Sequence, residues 1–224
     1  MKKRFIFALL LGITLSGLTA CGKLDVIGDK SEESFEAVLN AMQASVATDN
    51  QFDSWSLNSP DDEARFVWTK DFGETEIDVM LEIDAQPFIE AGLDISKLPQ
   101  EMVSGDKLVV GIDLGYENIT YTGDASPIAS YKKLVEHYRY NITYHTAMDH
   151  FGVDLGNGNM FEWAKDMKNN DKDIVFVLNP QPFLEAGVDP AKLVTWVYAK
   201  VETMDEKGNE VEVEKILKPF DLES

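Results

Sequence analysis

The chain contains two copies of one unit, and this duplication constrains the fold more than any other feature of the sequence. Residues 66–98 align without gaps on residues 161–193, with 14 of 33 positions identical. The longest shared run is Gln-Pro-Phe-x-Glu-Ala-Gly-x-Asp, which begins at Gln86 and again at Gln181. Chance does not produce this level of identity, so both copies must fold in the same way.

Each copy is predicted to form a helix followed by four antiparallel strands. Apolar residues recur at helical spacing over residues 35–46, and they match residues 131–142 at an offset of 96. Apolar and acidic residues then alternate over residues 75–84, which indicates a half-buried strand. We therefore expect an α+β fold with two homologous modules, residues 31–123 and 124–224, and with helices against one face of each sheet.

This order of elements resembles the tandem helix-plus-sheet design of small secreted inhibitors of the β-lactamase-inhibitor type. The resemblance is one of architecture, because none of that family's motifs is identifiable in the chain.

The first residues have the features of an export signal. Met1-Lys2-Lys3-Arg4 is basic, an apolar run from Phe5 to Leu15 follows, and Leu18-Thr19-Ala20-Cys21 closes the segment. The apolar run is too short to span a bilayer. Cys21 is the single cysteine of the chain, so no disulfide supports the fold.

Leu-Thr-Ala-Cys resembles the lipobox of bacterial lipoprotein precursors. The resemblance implies cleavage before Cys21, a diacylglyceryl thioether on its sulfur with palmitate as an acyl group, and anchoring at the extracytoplasmic face of the cell membrane. Residues 1–20 would be the signal peptide, and residues 21–30 a tether before a helix capped by Ser31. The alternative is an ordinary secretory signal followed by a free or buried thiol.

The charge of the chain argues against nucleic acid as a partner. Removing Lys2, Lys3 and Arg4 from the 20 basic residues leaves 17 against 40 acidic residues, a net charge of −23. Such a surface repels phosphate backbones and anionic lipid headgroups. Attachment to the membrane therefore depends on the lipid of Cys21.

No pattern in the sequence predicts catalysis or a cofactor. The chain lacks Gly-x-Ser-x-Gly, phosphate-binding glycine loops and His-Glu-x-x-His. The duplicated pair Asp94 and Asp189 is better explained as a determinant of the fold. His145 and His150 lie close in sequence, but we interpret them as partly exposed side chains, and we predict neither a metal nor a catalytic site.

A repeated Phe-x-Trp-x-Lys pattern supplies the candidate binding residues. On a strand these three side chains point the same way, which places an aromatic face beside a cation. The pattern either packs in the core, with the lysine stem over tryptophan, or presents paired patches to a ligand. The six candidates are Phe66, Trp68, Lys70, Phe161, Trp163 and Lys165.

The leading hypothesis is a non-catalytic, membrane-anchored lipoprotein that binds a protein partner or a ligand through the surface of its two modules. Its rival is a solute receptor that holds a small molecule between the modules, since ligand pockets favour domain interfaces. A hydrolase without a recognisable motif is a weaker alternative.

Overall fold

The structure is a computed structural model that describes residues 20–43, 46–49, 54–70, 78–112, 126–138, 141–145, 149–166, 172–204 and 209–221. Its helices are α1 (Ala20–Ala41), α2 (Gln86–Glu90), α3 (Pro127–Tyr138) and α4 (Gln181–Glu185). The strands of the first copy are β1 (Val46–Asp49), β2 (Ser54–Asn58), β3 (Ala64–Thr69), β4 (Val79–Asp84), β5 (Val103–Ser104) and β6 (Lys107–Ile112). Those of the second copy are β7 (Ile142–His145), β8 (His150–Asp154), β9 (Met160–Ala164), β10 (Ile174–Leu178), β11 (Val197–Met204) and β12 (Glu210–Phe220).

The strands form two antiparallel sheets of six, in the orders β1-β2-β3-β4-β6-β5 and β11-β12-β10-β9-β8-β7. The α+β class and the two sheet modules are confirmed, but the expected count of four strands is too low. The additional strands are β1 and β2 in the first copy and β7 and β8 in the second. Each of these pairs follows a long helix and extends its sheet at one edge.

The two long helices lie between the copies rather than each on its own sheet. Helix α1 contacts β7 and β9 of the second copy, α3 contacts β3 of the first, and the two helices pack against each other. The Ser34 hydroxyl on α1 donates to the carbonyl of Ala164, 3.1 Å away, and the equivalent Ser130 on α3 donates to Thr69, 2.5 Å away. Each helix therefore binds the end of a strand in the other copy.

The first helix begins earlier than the sequence predicts. The helix starts at Ala20, so the segment 21–30 that we expected to be a tether is helical in this structure. Ser31 is not an N-cap, because its hydroxyl donates to the carbonyl of Gly28 one turn back within the helix. Gly28 lets α1 approach α3 closely, since a Cβ there would lie 2.9 Å from Cγ1 of Val135.

One core joins the two copies around an approximate twofold axis. Phe66 and Phe161 occupy equivalent positions, and their rings stack 4.3 Å apart with an interplanar angle of 2°. Two backbone hydrogen bonds repeat the symmetry: the Asp94 amide donates to Ala186 over 2.9 Å, and the Asp189 amide donates to Ala91 over 2.8 Å. The repeated Gln-Pro-Phe segments, which begin α2 and α4, therefore form a self-complementary contact like that of a symmetric dimer.

Candidate functional site

The aromatic residues of the repeated Phe-x-Trp-x-Lys pattern lie in the core. Phe66, Trp68, Phe161 and Trp163 have no exposed surface, and all four rings contact Phe35. Alternation along β3 and β9 points them towards the space between the sheets. They offer no surface to a ligand, so the core interpretation accounts for them and the binding interpretation does not.

The two lysines of the pattern lie outside this core and contact other rings. The ammonium group of Lys70 is 5.0 Å from the ring centre of Trp55, and that of Lys165 is 5.6 Å from the ring centre of Tyr144. Lys165 also pairs with Asp149 at 3.2 Å. Neither cation lies over the tryptophan of its own pattern, so the predicted aromatic and cationic patch is not assembled.

Asp94 and Asp189 have equivalent structural roles. The Asp94 carboxylate accepts a hydrogen bond from the Ser96 amide, and the Asp189 carboxylate accepts one from the Ala191 amide, each at the start of a short 3-10 turn. The hydrogen bond from the Ser96 hydroxyl lowers the pKa of Asp94. Their duplication therefore reflects the fold, as the sequence indicates.

A groove opens where the two copies meet, and it is the first candidate site. Its volume is about 420 Å³, which lies in the range of small-molecule sites. The first copy contributes one wall and the second copy the other; the lining residues are Lys97, Leu98, Pro99, Asn179, Gln181, Pro182 and Glu185.

The walls of this groove carry opposite charges around an apolar surface. Lys97 keeps 59% of its side chain exposed and lies 3.6 Å from Asp94, so its ammonium group is only loosely paired. On the opposite wall the Glu185 carboxylate accepts a hydrogen bond from Gln181. Leu98 also lines the groove and is almost fully buried. This arrangement suits a solute with one positive and one negative group.

A second candidate is a buried cluster of two histidines and a glutamate on the outer face of the second sheet. His145 on β7, His150 on β8 and Glu162 on β9 are 3%, 0% and 1% exposed. The Nδ1 atom of His145 is 3.1 Å from Oε1 of Glu162, and the Nδ1 atom of His150 is 3.8 Å from Oε2. These three strands are hydrogen-bonded neighbours, which brings the side chains together.

The cluster is short of hydrogen bonds. Among the residues that the structure describes, none of the four ring nitrogens of His145 and His150 has a well-aligned partner, and neither does Oε1 of Glu162. Burial alone would raise the pKa of Glu162, but the two facing histidines outweigh it and lower that pKa to about 2. The carboxylate is therefore ionised while the ring nitrogens remain unsatisfied, which is costly in a buried site.

Gly152 makes room for this cluster. It pairs with Glu162 across β8 and β9, and a Cβ at Gly152 would lie 3.3 Å from Cγ of Glu162 and 3.0 Å from Oγ1 of Thr143. The absence of a side chain allows Glu162 to lie over β8 in reach of both histidines.

The first copy lacks the cluster at the equivalent positions. Ser54 and Val67 stand where the second copy has His150 and Glu162, and Ser56 stands where it has Gly152. Asp49 pairs with Ser54 as His145 pairs with His150. Both Ser54 and Val67 are buried, so the same fold is built without these ionisable groups.

The sequence interpretation of the histidines as partly exposed is wrong, because β7 and β8 place both on a buried face. Glu162 was missed altogether. The signal that could have revealed it is the comparison of the two copies, in which a glutamate replaces Val67 inside an otherwise repeated strand.

Among the described residues, no three or more histidine, cysteine or acidic side chains are arranged to hold a metal ion. In the same part of the chain, no helix combines the length and apolarity needed to cross a membrane. Comparisons with protein families, with curated proteins and with solved structures find no match to the chain. The architectural resemblance to β-lactamase inhibitors gains no support from them.

Proposed function

We propose that the protein is a lipid-anchored, extracytoplasmic binding protein of a bacterial envelope that holds a small zwitterionic solute in the groove between its two copies. The proposal that the protein binds a solute is supported by the groove itself, which has Lys97 and Glu185 on walls contributed by different copies. Binding requires no chemistry from the chain, and no catalytic group is assigned.

The anchor rests on the sequence around Cys21. Each methylene of an acyl chain that enters the bilayer contributes about 0.8 kcal/mol, so two chains hold a protein stably where one does not. Helix α1 begins at Ala20, next to this residue. At a rise of about 1.5 Å per residue, the helix would place the lipid about 15 Å from Ser31 and keep the core near the membrane surface.

The groove supports binding of a solute better than the aromatic patch, which the sequence offered as the alternative to core packing. The patch lies in the core, whereas the groove is accessible and carries polar groups from both copies. A solute carboxylate would pair with Lys97, and a solute ammonium group with Glu185. Leu98 and Pro182 would contact the apolar part of the solute.

A protein partner is the second candidate function, supported by one observation. Val194 is 91% exposed, and Ile89 and Val197 are each 41% exposed, so these apolar side chains are accessible to a partner. Cross-linking of the lipidated protein in intact cells would capture such a partner, and loss of the product in a Val194→Ser variant would support this surface.

Anchoring is tested by mass spectrometry of the processed N-terminus and by membrane fractionation. We expect a start at Cys21, a diacylglyceryl group on its sulfur, and recovery with membranes. A Cys21→Ser variant should be soluble or remain unprocessed. An unmodified cysteine, or a start elsewhere, would contradict the proposal.

Solute binding is tested with the twenty free amino acids as probes, first by thermal shift and then by calorimetry on the full processed chain in detergent. Lys97→Gln and Glu185→Gln should each weaken binding about tenfold or more, the loss expected for one charged hydrogen bond. Lys192→Gln and Glu90→Gln are matched controls, because they change the equivalent residues of the other copy, which do not line the groove. No binding by any probe, or equal losses in the controls, would refute the groove as a solute site.

A further inference from the structure

We infer that His145, His150 and Glu162 form a buried proton-binding site that controls how firmly β7 and β8 are held in the second sheet. The inference goes beyond the proposed function, because it concerns a different site and holds whether or not the groove binds a solute. It rests on three ionisable side chains with almost no exposure and on ring nitrogens that lack aligned partners.

Charge balance determines how many protons this site accepts. One carboxylate between two imidazoles forms a neutral group when a single proton is shared among them. A second proton leaves a net positive charge where no water can solvate it, and a buried unpaired charge is strongly unfavourable. The site therefore binds one proton well and resists the next.

The surrounding charged groups do not remove this penalty. Lys215 on β12 interacts electrostatically with Glu162 and with Asp154 at the end of β8, and burial lowers the pKa of Lys215. Asp149, the residue before β8, interacts electrostatically with His150 and is also bound by the Tyr144 hydroxyl and by Lys165. The charges of Lys215 and Asp154 offset each other, as do those of Lys165 and Asp149, so one proton still balances Glu162 and the two histidines.

The position of the site in the sheet explains why protonation affects β7 and β8. Strand β7 is the edge strand, and its ladder partner is β8. His145 and His150 form one end of that ladder, since they are its final pair. Glu162 joins the pair to β9, so a second proton weakens the attachment of this hairpin to the rest of the sheet.

The first copy shows that the fold does not require the site. Ser54 and Val67 occupy the buried positions equivalent to His150 and Glu162, and neither is ionisable, while Asp49 stands at the position equivalent to His145. A buried cluster that costs stability and has no role in the fold points to a response to pH, because histidine changes its charge between pH 5 and 8.

The first test is amide hydrogen exchange of the full processed chain in detergent at pH 7 and pH 5, corrected for the intrinsic effect of pH. Opening of β7 and β8 should increase about tenfold at pH 5, because the open state binds the second proton more readily than the closed state. The variant His150→Ser/Glu162→Val, which carries the residues of the first copy, should lose this increase.

The matched control is Glu82→Gln. Glu82 is a carboxylate on the first sheet, 12% exposed and 2.7 Å from Arg65, so the substitution removes an acidic group away from the site. This variant should retain the tenfold increase. An increase that persists in His150→Ser/Glu162→Val, or one that is absent from the unmodified chain, would overturn the inference.

Proton titration of the histidines keeps the inference testable even if that variant does not fold. In the unmodified chain, labelled at histidine Cε1, the resonances of His145 and His150 should change with pH together with the opening of β7 and β8. Titration of both histidines without any change in the opening of β7 and β8 would refute the inference. So would stoichiometric zinc binding that is lost in His150→Ser, since the cluster would then be a metal site.

Discussion

Gly92 and Gly187 face each other across the contact between the two copies, each with its backbone against the other's carbonyl. A Cβ on Gly92 would lie 2.9 Å from the Gly187 oxygen, and a Cβ on Gly187 would lie 3.1 Å from the Gly92 oxygen. Their φ angles are +106° and +103°. Both positions need glycine because of backbone conformation and close approach, which explains why the glycine of the repeated segment occurs in both copies.

Alanine at either of these glycines should destabilise the protein by about 2 kcal/mol or more, since the strain of a positive φ adds to a backbone clash. Gly105→Ala is the matched control: its φ is +63°, but a Cβ there meets nothing within 4 Å. The control should cost about 1 kcal/mol from strain alone. Urea unfolding measures the free energy of unfolding of each variant. Equal losses of stability in Gly92→Ala and Gly105→Ala would refute the close contact.

The tryptophans of the two copies should differ in their tolerance of phenylalanine. Trp68→Ala and Trp163→Ala should each cost about 3–5 kcal/mol, because both side chains are fully buried. The Trp68 indole donates to the Pro127 carbonyl over 3.3 Å, whereas the Trp163 indole nitrogen is buried and has no hydrogen-bond partner among the described residues. Trp68→Phe should therefore cost about 1 kcal/mol more than Trp163→Phe.

Thermal and chemical unfolding of the two phenylalanine variants would decide this comparison. The two sites are equivalent in the duplication, so the cavities left by the substitution are similar and the hydrogen bond is the main difference. A larger loss for Trp163→Phe would show that its indole has a partner that the structure does not contain.

Much of the fold could be predicted because the duplication doubles each local signal. The strand β4 follows from the alternation over residues 75–84, and parts of α1 and α3 follow from apolar residues at helical spacing. The packing of the helices could not be predicted, because an apolar helix face fits the sheet of its own copy as well as that of the other. Only the three-dimensional structure shows Phe35 between Trp68 and Trp163.

The candidate sites were harder to predict, for two physical reasons. The groove arises where Lys97 and Glu185, far apart in sequence, meet across the contact between copies. The histidine cluster depends on register, since β7 and β8 are short strands whose buried face cannot be identified from two histidines alone. Prediction succeeded where local pattern determines structure and failed where pairing between distant strands determines it.

Lys218 links the two copies through an ion triplet, and its removal should weaken the contact between them. Its ammonium group lies 2.6 Å from Asp61 and 2.7 Å from Glu63, and its side chain is 6% exposed. Lys218→Met should lower the free energy of unfolding by about 1–3 kcal/mol at pH 7, the loss expected for hydrogen bonds between charged groups. Lys200→Met, which breaks an exposed pair with Glu212, should cost less than about 0.5 kcal/mol.

The destabilisation caused by Lys218→Met should depend on pH with a definite sign. Burial opposes ionisation of Asp61, but hydrogen bonds from Lys218 and Ser59 outweigh it and lower the pKa of Asp61 below 3.8. The ion triplet therefore stabilises the fold fully above the pKa that Asp61 has in the unfolded chain. This stabilisation is lost as pH falls through the pKa that Asp61 has in the folded chain. The difference between Lys218→Met and the unmodified chain should shrink between pH 5 and about pH 2, and a difference that grows there would contradict the ion triplet.

Gly152 and Glu162 should be energetically coupled, because the glycine leaves the space that the glutamate crosses. Gly152→Ser alone should destabilise the chain, since its Cβ would lie 3.3 Å from Cγ of Glu162. In a Glu162→Val background the same substitution recreates the pair Ser56 and Val67 of the first copy, and it should cost about 1 kcal/mol less. A double-mutant cycle from urea unfolding at pH 7 measures this coupling. Additive losses would show that the strain comes from Thr143 and Met160 instead, and Gly152 would then not be needed to place Glu162 beside the histidines.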